Sequence, residues 1–299
     1  MPILYSETNR RDFLRIAGGT IAAIVTMGVT KGTARAADTD SMHLALISDT
    51  HVPEDVQNNY RGFYPYENMQ KVVSQVTLSK VSDGAIITGD LARLEGKVGD
   101  YVNLKKLLQP MAAEMPVAMA LGNHDHRKHF LQVFERLCCQ RQPVEDKIVL
   151  VLDHPALRLI ILDSLMFTNK TPGLLGKAQR TWLQSYLKTS GDKATLLFVH
   201  HTLSDGDNDL LDVDRLFKII GPARSVKAIV YGHSHRYGYD ETDGIHLINL
   251  PATGYNFNDK EPVGWVEAML RADGAELTLR TIGGNRQNDG QVTNLKWRK

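Results

Sequence analysis

The apolar residues of this chain gather into short unbroken runs at residues 44–48, 84–88, 117–121, 196–199 and 228–231. Strands with one wet face alternate apolar and polar residues, so uninterrupted runs of this length predict strands covered on both faces. Between them the spacing changes to that of amphipathic helices. Residues 67–81 carry Met69, Val72, Val73 and Val76, and residues 101–115 carry Val102, Leu104, Leu107 and Leu108. Residues 127–137 carry Phe130, Leu131, Phe134 and Leu137, and residues 177–187 carry Trp182, Leu183, Tyr186 and Leu187. Two further pairs of runs predict hairpins: 147–152 with 157–162, and 263–271 with 275–281 around Ala272-Asp273-Gly274. Alternating strands and helices with added hairpins predict an α/β domain of two packed sheets with helices outside. No linker divides residues 37–282, which read as one domain, and the Gly-rich polar stretch 283–299 reads as a loosely ordered tail.

Each strand-like run ends in polar residues: Asp49-Thr50-His51, Gly89-Asp90, Gly122-Asn123-His124-Asp125, His200-His201, and Gly232-His233-Ser234-His235. In an extended segment residues i and i+2 project to the same side, so Asp49 with His51, and His233 with His235, can each serve one site. Asp90 follows a glycine that lets the backbone turn as the strand ends, and its two carboxylate oxygens can bridge two cations. Asn123 offers a neutral amide oxygen and His200 a nitrogen. Oxygen and imidazole ligands without thiolate suit two ions of Zn, Mn, Fe or Co and fit poorly with Cu(I) or an iron–sulfur cluster. Two divalent ions against the charges of Asp49, Asp90 and a bridging hydroxide leave about one positive charge, which favours a phosphoryl group over a neutral ester. His124 adjoins Asn123 and is placed to protonate a departing oxygen, with Asp125 orienting its ring or capping the next helix. Tyr255 and Phe257 read as loop packing, or as faces on which a flat group stacks.

Composition adds little to this picture. Of 299 residues, 42% are hydrophobic and 23% charged, with a net charge of +1, so nothing in bulk points to a nucleic-acid polymer or an anionic membrane. The adjacent Cys138 and Cys139 are poorly placed for a stapling disulfide. The N-terminus stands apart. Arg10-Arg11-Asp12-Phe13-Leu14 precedes 14 uncharged residues, Ile16 to Val29, and then Ala34-Arg35-Ala36. That order resembles a twin-arginine export signal over residues 1–36, with residues 9–36 addressing the export machinery and the mature protein periplasmic or otherwise exported. Cleavage after Ala36 leaves 263 residues without a membrane anchor and with a net charge of −2.

The motifs Asp-x-His, Gly-Asp, Gly-Asn-His-Asp, His and Gly-His-x-His, in this order, resemble those of the calcineurin-like metallophosphoesterases. The resemblance implies a four-layer α/β/β/α sandwich with a dinuclear site at the strand ends. It implies one ion on Asp49, His51, Asp90 and His235 and another on Asp90, Asn123, His200 and His233, with His200 rather than His201 as ligand. It further implies hydrolysis of a small-molecule phosphoester by in-line attack of a metal-bridging hydroxide. Spacing around residues 89–125 and Leu162-Asp163-Ser164 is most similar to bacterial cyclic-nucleotide and glycerophosphodiester phosphodiesterases. Phosphomonoesterases or nucleotidases share the same centre, and a metal-binding scaffold without activity is the third alternative. Arg93 and Leu94 stand where that group commonly has an acidic residue, and Thr202 follows the second histidine where proline is usual. These departures bear on the substrate.

Overall fold

The protein is described as a computed structural model covering residues 3–5, 40–80, 82–134 and 141–299. In chain order its elements are β1 (Ile3–Tyr5), β2 (Ser41–Ile47), α1 (Pro65–Ser79), β3 (Gly84–Ile87), α2 (Val98–Glu114), β4 (Val117–Met119), α3 (Arg127–Val133), β5 (Arg141–Gln142), β6 (Val149–Asp153), β7 (Arg158–Ile161), α4 (Gly176–Thr189), β8 (Thr195–Phe198), α5 (Val213–Ile220), β9 (Val226–Tyr231), β10 (Gly238–Thr242), β11 (Ile245–Asn249), β12 (Pro262–Arg271), β13 (Gly274–Gly284) and β14 (Val292–Lys296). They form two seven-stranded mixed sheets, ordered β1-β4-β3-β2-β12-β13-β14 and β10-β11-β9-β8-β7-β6-β5.

The unbroken apolar runs arise because both faces of the central strands are covered. Leu44 and Leu46 of β2 and Ile86 of β3 turn inward to meet Leu196 and Phe198 of β8 and Ala228 and Val230 of β9 between the sheets. Their neighbours Ala45, Ile47, Ala85 and Ile87 face the other way, onto Met69, Val72 and Val76 of α1 and Leu104, Leu108 and Met111 of α2. On the far side Ile160, Leu197 and Ile229 pack against Leu183 and Leu187 of α4 and Leu216 and Ile220 of α5. Three apolar layers thus separate helices, sheet, sheet and helices, the α/β/β/α sandwich. A buried Leu such as Leu44 contributes about 2–5 kcal/mol, judged by the usual cost of its truncation to Ala.

Strands β2, β3 and β4 pair in parallel, as do β7, β8, β9 and β11. Parallel pairing sends the C-terminal ends of neighbouring strands to one rim, where α/β sheets gather ligands. Both expected hairpins form, as β6–β7 and β12–β13.

Two expectations fail. The tail after residue 282 is not loose: β14 pairs with β13, and Trp297 is buried between the sheets with its Nε1 donating to Arg271 O. Arg298 donates to the carbonyls of Val226, Gly221, Ile220, Ala223 and Asp243. The cap of α3 is His126, whose side chain accepts from His129 N, not Asp125. The reading of residues 1–36 as a signal lies outside the described residues except for Ile3–Tyr5, an antiparallel edge strand beside β4. Leu137, Cys138 and Cys139 also lie outside them. Among the described residues no helix is long and apolar enough to cross a membrane.

Candidate metal centre

The ends of β2, β3 and the loop after β4 deliver Asp49, His51, Asp90 and Asn123, and the ends of β8 and β9 deliver His200, His233 and His235. The two sheets are stitched at this rim. Asp49 N donates to Gly89 O and His51 N to Asp90 O, Gly232 N donates to His200 O, and His233 N reaches the Asp49 carboxylate at 3.2 and 3.1 Å.

Side chains converge here by a different backbone route from the extended i, i+2 pattern. Asp49, His51, Asp90, His233 and His235 all have positive φ, between 46° and 71°. Each such residue costs of order 1–3 kcal/mol and persists only where the surroundings enforce it, a concentration characteristic of functional sites. Gly89, at φ +130°, turns the chain into Asp90, and a Cβ there would lie 2.7 Å from His200 Nδ1 and from Gly122 N. Close backbone approach, as much as flexibility, therefore requires this glycine.

The donor atoms fall into two sets, Asp49, His51 and His235, and Asp90, His200 and His233, each within 4.8 Å of one another. Asp90 faces both: Oδ2 lies 3.8 Å from His51 Nε2 and Oδ1 3.3 Å from His200 Nε2. Asn123 Oδ1 and both ring nitrogens of His200 are buried without a hydrogen-bond partner. Three histidines are anchored from behind by backbone carbonyls: His51 Nδ1 by Arg93 O (3.3 Å), His235 Nδ1 by Tyr255 O (2.6 Å) and His233 Nε2 by Asn208 O (3.0 Å). A carbonyl only accepts, so each anchored nitrogen carries the proton and the opposite nitrogen presents a lone pair. His51 Nε2 and His235 Nε2 then point lone pairs at each other across 3.0 Å. Such an arrangement demands a cation between them, and the orphaned Asn123 oxygen and His200 nitrogens demand one as well. The residues fit two metal ions.

Electrostatics agree. Burial alone would raise the Asp49 and Asp90 carboxyls, but His235 and His200 respectively hold them far below the usual carboxylate range. Burial lowers His51 to about 3 and lowers His233 as well, keeping both neutral and able to ligate. At His200 burial is overridden by the Asp90 carboxylate, which pushes it up to about 9.

His124 is half-buried beside this centre. Its backbone N donates to Asp90 Oδ1 (2.9 Å), its ring lies 5.4 Å from that of His51, and its Nδ1 faces Leu94 O at 2.9 Å. Asp125 does not orient that ring. Fully buried, it accepts from Leu91 N, Ala92 N, Gly122 N and Tyr101 Oη, fastening the Asp90 and Asn123 loops together. Burial and the Asp90 charge raise its carboxyl to about 6. His201 lies outside both donor sets, with Nδ1 2.7 Å from Ser164 Oγ.

Ser48, Thr88 and Asn208 were not singled out beforehand, and Arg93, Leu94 and Tyr255 were, but not for their carbonyls. Ser48 Oγ donates to Asp49 Oδ2 at 2.5 Å and receives Thr88 Oγ1 at 2.6 Å. Polar residues closing two apolar strands were the available signal. Asn208, Arg93, Leu94 and Tyr255 act here through their carbonyls, which leave no trace in side-chain identity.

The profile of the family described as calcineurin-like phosphoesterase matches residues 42–237. The chain belongs to the calcineurin-like phosphoesterase family. It is 25% identical over 245 residues to a probable cyclic nucleotide phosphodiesterase of Vesicomyosocius okutanii, covering 80% of this chain and 97% of the relative. It is 28% identical over 219 residues to the glycerophosphodiester phosphodiesterase GpdQ of Enterobacter lignolyticus, covering 71% of this chain and 77% of that protein. Its fold matches that of a dimetal phosphatase from Danio rerio with a TM-score of 0.67 at 14% identity, over 86% of this chain and 99% of the other. The chain is accordingly a hydrolase of phosphoester bonds, in a family that uses a dinuclear metal centre.

Proposed function

We propose that this phosphoesterase hydrolyses a small phosphodiester, with His124 assisting the leaving group. The observation that carries the reading is the placement of His124, joined through its backbone to the shared carboxylate Asp90 and through its ring to Leu94 O, with a half-exposed imidazole beside the ligand set. Two divalent ions on Asp49, His51, Asp90 and His235, and on Asp90, Asn123, His200 and His233, would supply Lewis acidity and a hydroxide at neutral pH. Asp49 and Asp90 hold negative charge in the buried floor, and the anchored histidines fix the direction of approach. Tethered at Nδ1, His124 as an imidazolium presents Nε2–H outward. Were in-line attack at phosphorus to break the opposite P–O bond, the departing oxygen would take its proton from His124 Nε2. Relatives named as phosphodiesterases over most of their length support a diester substrate.

Turnover of bis(4-nitrophenyl) phosphate against 4-nitrophenyl phosphate by the metal-loaded protein tests this. Faster diester turnover is expected. A dominant monoester rate would establish the phosphomonoesterase alternative, and no turnover with both ions bound would leave only a binding scaffold.

The same reading places the enzyme outside the cytoplasm, exported through the twin-arginine machinery by residues 9–36, whose Arg10-Arg11-Asp12-Phe13-Leu14 order supports it. Arg10→Lys with Arg11→Lys is expected to retain the full-length chain in the cytoplasm. Undiminished periplasmic protein would refute this route.

A further inference from the structure

One arginine beside the centre has a cation's chemistry and, among the described residues, no protein anion to meet it. Arg93 follows Asp90 by three residues, and its side chain is gripped on three sides. Its Nε donates to Asn58 Oδ1 at 2.9 Å, and its Cζ lies 4.8 Å from the Tyr60 ring centre and 5.3 Å from that of Tyr255. The two tyrosines meet edge to face at 4.7 Å. Tyr255 in turn stacks on His51 at 4.7 Å and lies 4.8 Å from His235, so the guanidinium stands one ring away from the Asp49, His51 and His235 set.

Four other arginines, Arg127, Arg158, Arg180 and Arg280, each rest on a carboxylate, and Arg298 rests on backbone carbonyls. Arg93 has no such partner among the described residues, and its terminal nitrogens donate to no protein acceptor. A guanidinium presents parallel N–H groups that match the two oxygens of a carboxylate or phosphate. Aromatic faces hold it without neutralising it, and a tether through Nε spends the one donor a forked contact can spare. Rigidity of this kind lowers the ordering cost of binding. The surroundings are open to solvent: Tyr60 is 39% exposed, and Phe257, stacked on His235 at 4.3 Å, is 52% exposed. Tyr255, at 3% exposure, is wall rather than platform.

We propose that Arg93, braced by Asn58, Tyr60 and Tyr255, is a specificity-determining residue that binds a second anionic group on the substrate, a carboxylate or further phosphate separate from the phosphoryl group being cleaved. The preferred substrate is then a phosphoester with two anionic centres. The inference rests on the phosphoesterase reading above and names its substrate class.

The test compares the metal-loaded wild type with Arg93→Met and Arg93→Lys on two 4-nitrophenyl phosphodiesters, one esterified with a neutral alcohol and one with a carboxylate-bearing alcohol. Binding of phenylphosphonate and of its carboxylate-bearing counterpart is measured by calorimetry alongside. For Arg93→Met the ratio of kcat/KM between charged and neutral diesters is expected to fall about 10–100-fold, mainly through KM, as loss of a charged forked contact implies. Arg93→Lys should recover part of that ratio. Equal losses on both diesters would place Arg93 on the cleaved phosphoryl group, and no loss on either would leave it structural. Both results overturn the proposal. The calorimetric ratio does not depend on turnover. A selective loss of carboxylate-bearing phosphonate binding in a protein that hydrolyses neither diester would sustain the subsite while refuting the phosphodiesterase reading.

Discussion

The two groups of residues that could each hold a metal ion are built from similar donors and held in different ways. At the first, Asp49, His51 and His235 are all buried, and both histidines are pinned by the carbonyls of Arg93 and Tyr255. Asp49 is held in turn by Ser48 Oγ and His233 N. At the second, His233 is partly open to solvent, its anchor Asn208 O comes from a loop, and the His200 ring has no hydrogen bond behind it. Proton affinities diverge too: His51 is driven down to about 3 by burial, whereas Asp90, against burial, lifts His200 to about 9. Among similar donors, His51 is thus ready for an ion whereas His200 must first lose a proton. Strength of a metal site is decided by what stands behind the ligands as well as by the ligands.

The largest effect tests what the positions share. Asp90→Asn removes the charge of the bridging carboxylate, and kcat is expected to fall about 10³-fold or more with loss of at least one bound ion. Metal analysis showing two ions and near-normal kcat would remove Asp90 from the bridging role. Next is His124→Ala, expected to slow kcat about 10²–10³-fold while both ions stay, most for esters with poor leaving groups. A uniform loss across leaving groups would deny the proton-donor role.

Removal of metal compares the positions directly. Limiting chelator is expected to leave a species with one ion per chain, because the second position is more exposed and less braced. Ions leaving only in pairs would break the distinction. Acidity sharpens it further. Below about pH 9 the metal-free His200 is protonated, so uptake at the second position expels that proton and its affinity should fall about tenfold per pH unit lost. Uptake at the first position should draw no proton from His51, which stays neutral above about pH 3. Calorimetry of each step in buffers of different ionisation enthalpy reads the released proton, and equal release at both steps would contradict the scheme. The smallest effect belongs to Ser48→Ala, expected to weaken the first ion about 10–100-fold with the second unaffected. A loss confined to the second ion would invert the comparison.

Much of this was legible in the chain itself. Strands β2, β3, β8 and β9 stood out because both their faces are apolar, and their ends announced the ligands because buried strands have no other reason to close on Asp and His. The tail was misread because Leu295 and Trp297 are scattered apolar residues in a polar stretch, and only the neighbouring β13 shows what they cover. Helix α5 passed unnoticed although Val213, Leu216 and Ile220 share one face. Asp125 looked like a partner for its neighbour in sequence, whereas its actual partners are the backbone N–H groups of Leu91, Ala92 and Gly122 and the Tyr101 hydroxyl. Contacts to backbone are the part of a site that side-chain identity hides.

The left-handed backbone at Asp49, His51, Asp90, His233 and His235 narrows what can replace these residues. Asp, Asn and His tolerate that conformation better than other side chains, and two of the three are also strong metal ligands. Glutamate keeps the charge of aspartate and cysteine binds zinc well, yet neither enters these positions without strain. The geometry of the main chain therefore filters the ligand alphabet before any metal does, and exchange of one carboxylate for another is closed to this centre as a path of variation.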